Sequence, residues 1–266
     1  MTHLREARVL VTGAASGLGR RLALGSARRK AKLVLWDLNG EGLEKVAGEV
    51  EAFGPRAETA VVDVSSRQEV YEAARGIREP VDVLINNAGV VSGKSLLEIE
   101  DEMIEKTFAV NTLALFWTVR AFLPGMIERK RGHLVTIASA AGLIGVPKLS
   151  DYGASKWAAV GFDESLRMEL RKVAPGIRTT VVCPYYIGTG LFEGAKSRFP
   201  SLLPILDEGK VSERILRAIE RNDKKVVMPS MVKSIPWVRH LPVSWFDAIA
   251  EFMGINASMD DFVGRK

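Results

Sequence analysis

A chain of 266 residues that is 47% hydrophobic and 26% charged can bury one sizeable core and is far from the composition of a disordered protein. Its single cysteine excludes an intrachain disulfide framework and suits a reducing compartment. The net charge of +5 is dispersed among acids, as in "EKVAGEVE" and "SERILRAIERNDKK", so it describes a solvated surface and predicts no nucleic-acid partner.

The first eight residues are polar and lack the apolar core of a signal peptide, and no later run reads as apolar for the ~18 residues of a spanning helix. The expectation is a cytoplasmic protein. "RVLVTGAASG" reads as a strand closed by glycines, followed by the helical "GRRLALGSARRK". Then come the strand "AKLVLWD", the helix "GEGLEKVAGEVEAFG", the strand "RAETAVVDVS", the helix "RQEVYEAARGIR" and the strand "VDVLINNAG". Leu96 to Glu128 reads as helical throughout, "GHLVTIAS" as a fifth strand, Tyr152 to Lys172 as a helix and "IRTTVVCP" as a sixth strand. Near-continuous apolar strands alternating with helices predict a parallel sheet covered on both faces, and right-handed crossovers make it a doubly wound (Rossmann) α/β fold. No repeat or composition break divides the chain, so 1–266 reads as a single domain. Its cofactor half spans about 7–110, its catalytic half about 111–187, and a substrate cover with the C-terminal segment about 188–266.

After Pro184 the run "YYIGTGLFEGAKSRFPSLLPILDEG" is a poor strand or long helix and suits a mobile cover. "KKVVMPS" is a last strand candidate. "VSWFDAIAEFM" then places Trp245, Phe246, Ile249, Phe252 and Met253 on one helical stripe, with Ser244 and Asp247 suited to a capped start.

"TGAASGLG" (Thr12 to Gly19) joins the first strand to the first helix. Gly13, Gly17 and Gly19 permit a tight turn and close approach to a pyrophosphate, with Ser16 and Leu18 beside it and the helix N-terminus supplying N–H groups. Asp37 ends the second strand, where its carboxylate can accept from both ribose hydroxyls of an adenosine. The same charge repels a 2′-phosphate, no basic residue adjoins it, and Ser16 is uncharged, so NAD is expected over NADP. Asp63 and Val64, at the end of the third strand, are expected to meet the adenine.

"NNAG" (Asn86 to Gly89) follows the fourth strand and Ser139 the fifth; Tyr152 and Lys156 lie one helical turn apart on one face. Hydride transfer at an alcohol carbon needs a proton acceptor or donor at the oxygen. A phenol, with an unperturbed pKa of about 10, is too weak an acid unless a neighbouring ammonium favours the phenolate. Ser139 can donate to the substrate oxygen. Asn111, polar among apolar neighbours in "VNTLALF", needs a partner and could hold a water that links Lys156 to solvent.

Together "TGAASGLG", "NNAG", Asn111, Ser139 and "YGASK" resemble the short-chain dehydrogenase/reductase family, over Ala7 to about Thr189. The resemblance implies an Asn111–Ser139–Tyr152–Lys156 tetrad with Tyr152 as acid/base, and Lys156 also binding the nicotinamide ribose. It further implies a partly structural role for Asn86, Asn87, Ala88 and Gly89 beside the cofactor, nicotinamide contacts from Pro184, Ile187 and Thr189, and a homodimer or homotetramer paired through the helices of Asn111 and Tyr152. The phrases "NNAGVVSGKSLLE", "ALFWTVRAFLPGM", "GHLVTIASAAGLIGVPKLSDYGASKWAAVGFDESL", "TGLFEGAKSRFPSLLPIL" and "MDDFVGRK" are similar to the branch of epidermal-type retinol dehydrogenases and lipid-droplet hydroxysteroid dehydrogenases. That branch implies a lipophilic alcohol or its ketone or aldehyde as substrate: a retinoid, a steroid or a long-chain alcohol.

Two departures stand out. Pro184 is followed by Tyr185 where the family commonly has glycine, which leaves the local loop geometry open and puts Tyr185 and Tyr186 near the substrate. The branch's animal members carry an apolar N-terminal anchor, which this chain lacks, as in a soluble relative or a trimmed chain. Leu191 and Phe192, with Phe199, Leu202, Leu203, Ile205 and Leu206, either line a lipophilic pocket or pack the cover onto the sheet. Trp237, Trp245, Phe246 and Phe252, with Lys233 and Arg239, either touch a membrane surface peripherally or pack against protein. Cys183 reads as core, and His3, His133 and His240 have no metal-ligand spacing, so no metal is expected. A reductase of small polar carbonyls and a non-catalytic NAD-binding regulator are the competing readings.

Overall fold

Side chains of a strand alternate between the two faces of a sheet, so short runs of valine, leucine and isoleucine flanked by helices are buried on both sides. In the computed structural model, which describes residues 1–264, six such runs and one half-exposed edge strand form one sheet of seven. They are β1 (Arg8–Thr12), β2 (Lys32–Asp37), β3 (Glu58–Val61), β4 (Val83–Asn86), β5 (Gly132–Ile137), β6 (Ile177–Pro184) and β7 (Lys225–Met228). All neighbours are parallel, in the order β3-β2-β1-β4-β5-β6-β7. Val9, Val11, Leu35 and Ile85 face a core closed by α1 (Gly17–Arg28), α2 (Gly40–Glu51) and α7 (Glu208–Arg221). Leu10, Trp36, Leu84 and Leu134 face the opposite core, closed by α3 (Arg67–Gly76), α5 (Ala114–Glu128) and α6 (Ser150–Val173). The order reverses between β1 and β4, and a crevice opens at the carboxyl ends of the strands there.

The long helical run expected from Leu96 begins later. Ser95 donates its backbone N–H to the Glu98 carboxylate at 3.1 Å, closing a separate turn, and α4 starts only at Asp101 (Asp101–Phe108). The chain then passes through a π-turn at Ala109–Leu113 before α5. Against the expectation of no sufficiently apolar run, Asp101–Glu128 is long and apolar enough to cross a membrane by length and composition alone. Val110, Ala114, Val119 and Met126 on this helix pack on the sheet, as in the core helix of a globular domain.

Residues 185–207 form no helix or extended strand and are pinned by a bridge between Ile187 and Leu206. Beyond β7 come a 3-10 turn (Ser230–Ser234), α8 (Ile235–Val238) and α9 (Val243–Phe252). The cap expected from Ser244 does not form. Pro242 takes the cap position, with φ of −50°, so the helix starts two residues earlier than a Ser244 cap would place it and Ser244 falls inside the first turn. The stripe also divides, with Trp245, Ile249 and Phe252 exposed and Phe246 and Met253 partly covered. The last two residues of "MDDFVGRK" lie outside the described residues.

Candidate active site

The β1–α1 turn is built from glycines for two different reasons. Gly13 and Gly17 hold φ of 65° and 51°, a region that side chains rarely adopt. Gly19 has no such φ, but a Cβ there would lie 2.0 Å from the Gly13 carbonyl oxygen. Gly19 therefore packs the turn and is not among the lining residues of the cavity. The turn is stitched to the end of β4: Asn87 donates its side-chain amide to the Thr12 and Gly13 carbonyls at 2.9 and 3.2 Å. The backbone N–H groups of Asn87 and Ala88 both donate to the Thr12 hydroxyl.

A cavity of about 320 Å³ runs from this turn along the strand ends. Gly13, Ser16, Gly17, Leu18, Asp37, Asp63, Val64, Asn87, Ala88 and Gly89 line its first part; Ser139, Tyr152, Lys156, Pro184, Ile187, Thr189, Leu191 and Phe192 line the rest. Asp37 accepts from the backbone of Ala15 (3.0 Å) and of Asn39 (3.0 Å), one N–H on each oxygen, so its carboxylate is fixed at the cavity edge. Asp63 is held by the backbone N–H and hydroxyl of Ser65. An elongated cavity with glycines where a phosphate must approach backbone and a fixed carboxylate at its far end fits a dinucleotide. Lys106 on α4 also lines it, a residue that sequence reasoning missed because an exposed helical lysine carries no signal of its own.

At the inner end, α6 presents Tyr152 and Lys156 on one face, both buried. The Lys156 Nζ sits 5.6 Å from the centroid of the Tyr152 ring and donates to the Ile137 carbonyl at 2.9 Å. Burial raises the Tyr152 phenol above its usual range, opposed by the Ser139 hydroxyl, while the nearby Tyr186 adds to the rise. Burial also lowers Lys156 to about 8, slightly offset by Cys183. Ser139 follows β5 by two residues and accepts from the Ala141 N–H at 3.1 Å, capping a single 3-10 turn toward α6.

Asn111 does not line the cavity. It lies in the π-turn and clamps the segment after β4, accepting from the Val90 N–H and donating to the Val90 carbonyl, both at 2.9 Å. Its amide also donates to the Ser155 hydroxyl at 3.0 Å, on the turn of α6 between Tyr152 and Lys156. Asp151 reinforces this join, accepting from the hydroxyls of Ser92 (2.8 Å) and Thr107 (2.9 Å). The only sequence hint of that second tie is an acidic residue at a helix start, which usually means a solvated first turn.

The other side of Tyr152 is apolar. A small recess of about 20 Å³ is lined by Ser139, Tyr152, Ile144, Tyr185, Phe192 and Ile255 among others, with Tyr186 on its wall. Phe192 meets Tyr152 edge-on at 5.4 Å and Tyr186 at 5.1 Å. The loop geometry left open at Tyr185 is ordinary: the residue has no positive φ, and its N–H donates to the Met228 carbonyl at 2.8 Å. Of the apolar cover set, Leu191 and Phe192 reach the cavity. Leu203 is buried in the core, Phe199 stacks on Phe252, and Leu202 and Ile205 are exposed. Cys183 is fully buried in β6, and its thiol is pushed up to about 11 by that burial. Among the described residues no cluster of three or more His, Cys, Asp or Glu side chains could hold a metal ion.

The sequence pattern of the short chain dehydrogenase family matches residues 7–198. The chain is 45% identical over 264 residues to epidermal retinol dehydrogenase 2 of Mus musculus, covering 97% of this chain and 85% of that protein. It is 40% identical over 262 residues to estradiol 17-beta-dehydrogenase 11 of Homo sapiens, covering 97% and 86%. A crystal structure of a short chain dehydrogenase/reductase from Burkholderia phymatum in complex with NAD superposes with a TM-score of 0.81 at 27% identity, over 90% of this chain and 95% of the other.

Proposed function

From the premise that this chain belongs to the short-chain dehydrogenase/reductase family and is an oxidoreductase of it, we propose that it interconverts a lipophilic alcohol and its ketone or aldehyde with NAD. The observation that carries this reading is one continuous cavity with Asp37 at one end and Ser139, Tyr152 and Lys156 at the other. NAD, when bound, supplies the acceptor for the hydride. Gly13, Ser16, Gly17 and Leu18 would hold its phosphates, Asp37 its adenosine ribose, Asp63 and Val64 its adenine. Asn87, Ala88, Gly89, Lys156, Pro184, Ile187 and Thr189 would hold its nicotinamide half. The preference for NAD over NADP rests on Asp37, whose charge and fixed orientation disfavour a 2′-phosphate.

In the oxidative direction the Tyr152 oxygen takes the hydroxyl proton of the substrate, and Ser139 donates a hydrogen bond to the same oxygen as charge develops there. Burial alone keeps the phenol protonated. With its pKa lowered only to about 8, Lys156 is still mostly an ammonium at neutral pH, and its charge favours the phenolate. Asn111 holds α6 and the segment after β4 together around this pair. The walls formed by Ile144, Tyr185, Tyr186, Leu191, Phe192 and Ile255 suit an apolar rather than a polar substrate, in keeping with the retinol and estradiol of the relatives' names.

The test is Tyr152→Phe, assayed with a retinoid and a steroid alcohol. Turnover is expected to fall by roughly 10²–10⁴, the usual worth of a positioned acid/base, with NAD affinity within a few-fold of wild type. Unchanged turnover would overturn the role of Tyr152. A wild-type preference for polyols or acyl thioesters over both lipophilic alcohols would overturn the substrate class.

A further inference from the structure

A second and larger concavity, about 770 Å³, opens between α7 and the edge strand β7 and shares no lining residue with the strand-end cavity. Its cations are Lys210, Arg214, Arg217 and Arg221 from α7, Lys225 from β7 and Lys233 from the following 3-10 turn. Three acids share it, and two of these are already engaged. Glu213 pairs with Arg29 and Arg217, and Asp207 accepts from the Lys210 backbone N–H; Asp223 is the third. Lys210, Arg214, Arg221 and Lys233 are exposed and make no ion pair among the described residues. A cationic concavity with its charges left unpaired calls for an anionic partner.

The rim indicates what kind. Lys233 and Trp237 stand one helical turn apart where the 3-10 turn runs into α8, and Trp237 is 78% exposed. Met231, on the same turn, is exposed as well. Val243, Trp245 and Phe252 follow on α9, the last two 64% and 62% exposed. Folding alone gives no reason to leave two tryptophans and a phenylalanine in water within one short segment. Lysine and arginine beside tryptophan and aliphatic side chains match the headgroup and acyl boundary of an anionic bilayer, where each side chain type finds its own depth. A nucleic acid would use the cations but has nothing to offer Val243, Met231 or Phe252. Arg239 takes no part, because it is stacked between Trp157 and Phe246 and donates to the Leu143 carbonyl.

We propose that the groove between α7 and β7, with the adjoining Trp237 rim, docks this protein peripherally on an anionic lipid surface. The proposal stands apart from the dehydrogenase reading and does not use its residues.

Co-sedimentation of the full chain with two kinds of vesicle tests it: phosphatidylcholine alone, and phosphatidylcholine with about one third phosphatidylserine. Binding to the anionic vesicles is expected to be at least roughly tenfold stronger and to weaken between low and high salt. The double variant Arg214→Glu/Lys233→Glu should lose at least about tenfold in vesicle affinity, and Trp237→Ala a few-fold. All three positions are exposed, and unchanged melting temperature and alcohol oxidation check that the variants are folded. Equal binding to neutral and anionic vesicles, or full binding by the double variant, would overturn the proposal. So would failure to bind either vesicle while a short RNA or a second copy of the chain binds in a manner that the double variant abolishes.

Discussion

Asp37 serves two purposes with one carboxylate. Each oxygen already accepts a backbone N–H, from Ala15 and from Asn39, and each retains a lone pair directed at the cavity edge. The side chain thus holds the β1–α1 turn against the end of β2 and, on the NAD reading, keeps capacity for the ribose. Asp37→Ala should therefore weaken NAD binding by at least roughly tenfold and shrink the discrimination against NADP by a similar factor. It should also cost about 1–3 kcal/mol of stability, because two N–H groups lose their acceptor. Titration with both dinucleotides and a thermal melt measure the two effects separately. An unchanged ratio of NAD to NADP affinity would remove Asp37 as the selector and leave it a purely structural residue. Asn111 is the opposite case. Its need for partners could be read from its apolar neighbours, but not that the partners are Val90 and Ser155, which Asn111 reaches from within the π-turn at Ala109–Leu113.

Strands and helices were legible to the extent that their own side chains specify them. Six of the seven strands follow from short apolar runs, β3 being a half-exposed edge, and the parallel doubly wound sheet follows from alternation with helices, whereas the strand order is seen only in the fold. Where distant contacts decide, sequence pattern fails. The π-turn at Ala109–Leu113 has helical composition, the Ser95–Glu98 turn lies in a run that reads as helical from Leu96 onward, and Pro242 outranks Ser244 as the start of α9. The cover between Tyr185 and Asp207 was legible as irregular, but which of its apolar residues reach the cavity depends on the Ile187–Leu206 bridge. That bridge ends one residue before Asp207, whose side chain accepts from the Lys210 N–H at 2.8 Å and so caps α7. The cap thus fixes the return end of the cover as well as the helix. Asp207→Ala should cost about 1 kcal/mol of stability, a drop of a few °C in melting temperature, and Asp207→Ser should recover most of it. If the cap also anchors the cover, the alanine variant raises KM for a bulky alcohol while NAD affinity stays unchanged. A melting temperature equal to wild type would show that α7 is held by its packing on α1 alone.

For the molecule as a whole, two buried groups make opposite demands on pH. Asp163 of α6 lies against β6, with the Thr179 hydroxyl donating to it at 3.4 Å, and burial lifts its carboxyl from the ordinary 3.8 to about 7, opposed mainly by Arg167. The folded state therefore holds this proton more tightly than the unfolded chain does. The stability it contributes is complete below about 4 and is lost as pH rises to about 7. His133 of β5 is buried between the hydroxyls of Thr2 and Thr180, and burial lowers it from 6.5 to about 4. The unfolded chain takes up that proton first, so stability is lost as pH falls from about 6.5 to about 4. Across the shared window the two trends offset, and the wild-type melting temperature should change little between pH 4.5 and 6.5 from these groups. Removing one exposes the other. Asp163→Asn keeps the shape and the polar contact to Thr179 but cannot ionise. Its melting temperature relative to wild type should therefore climb from pH 5 to pH 8 by a few °C, corresponding to at least about 1 kcal/mol. Within the variant, stability should rise with pH through the His133 window. A difference between Asp163→Asn and wild type that stays flat from pH 5 to 8 would mean that Asp163 ionises in the folded protein as readily as in water, and that the contact between α6 and β6 admits more solvent than its burial implies.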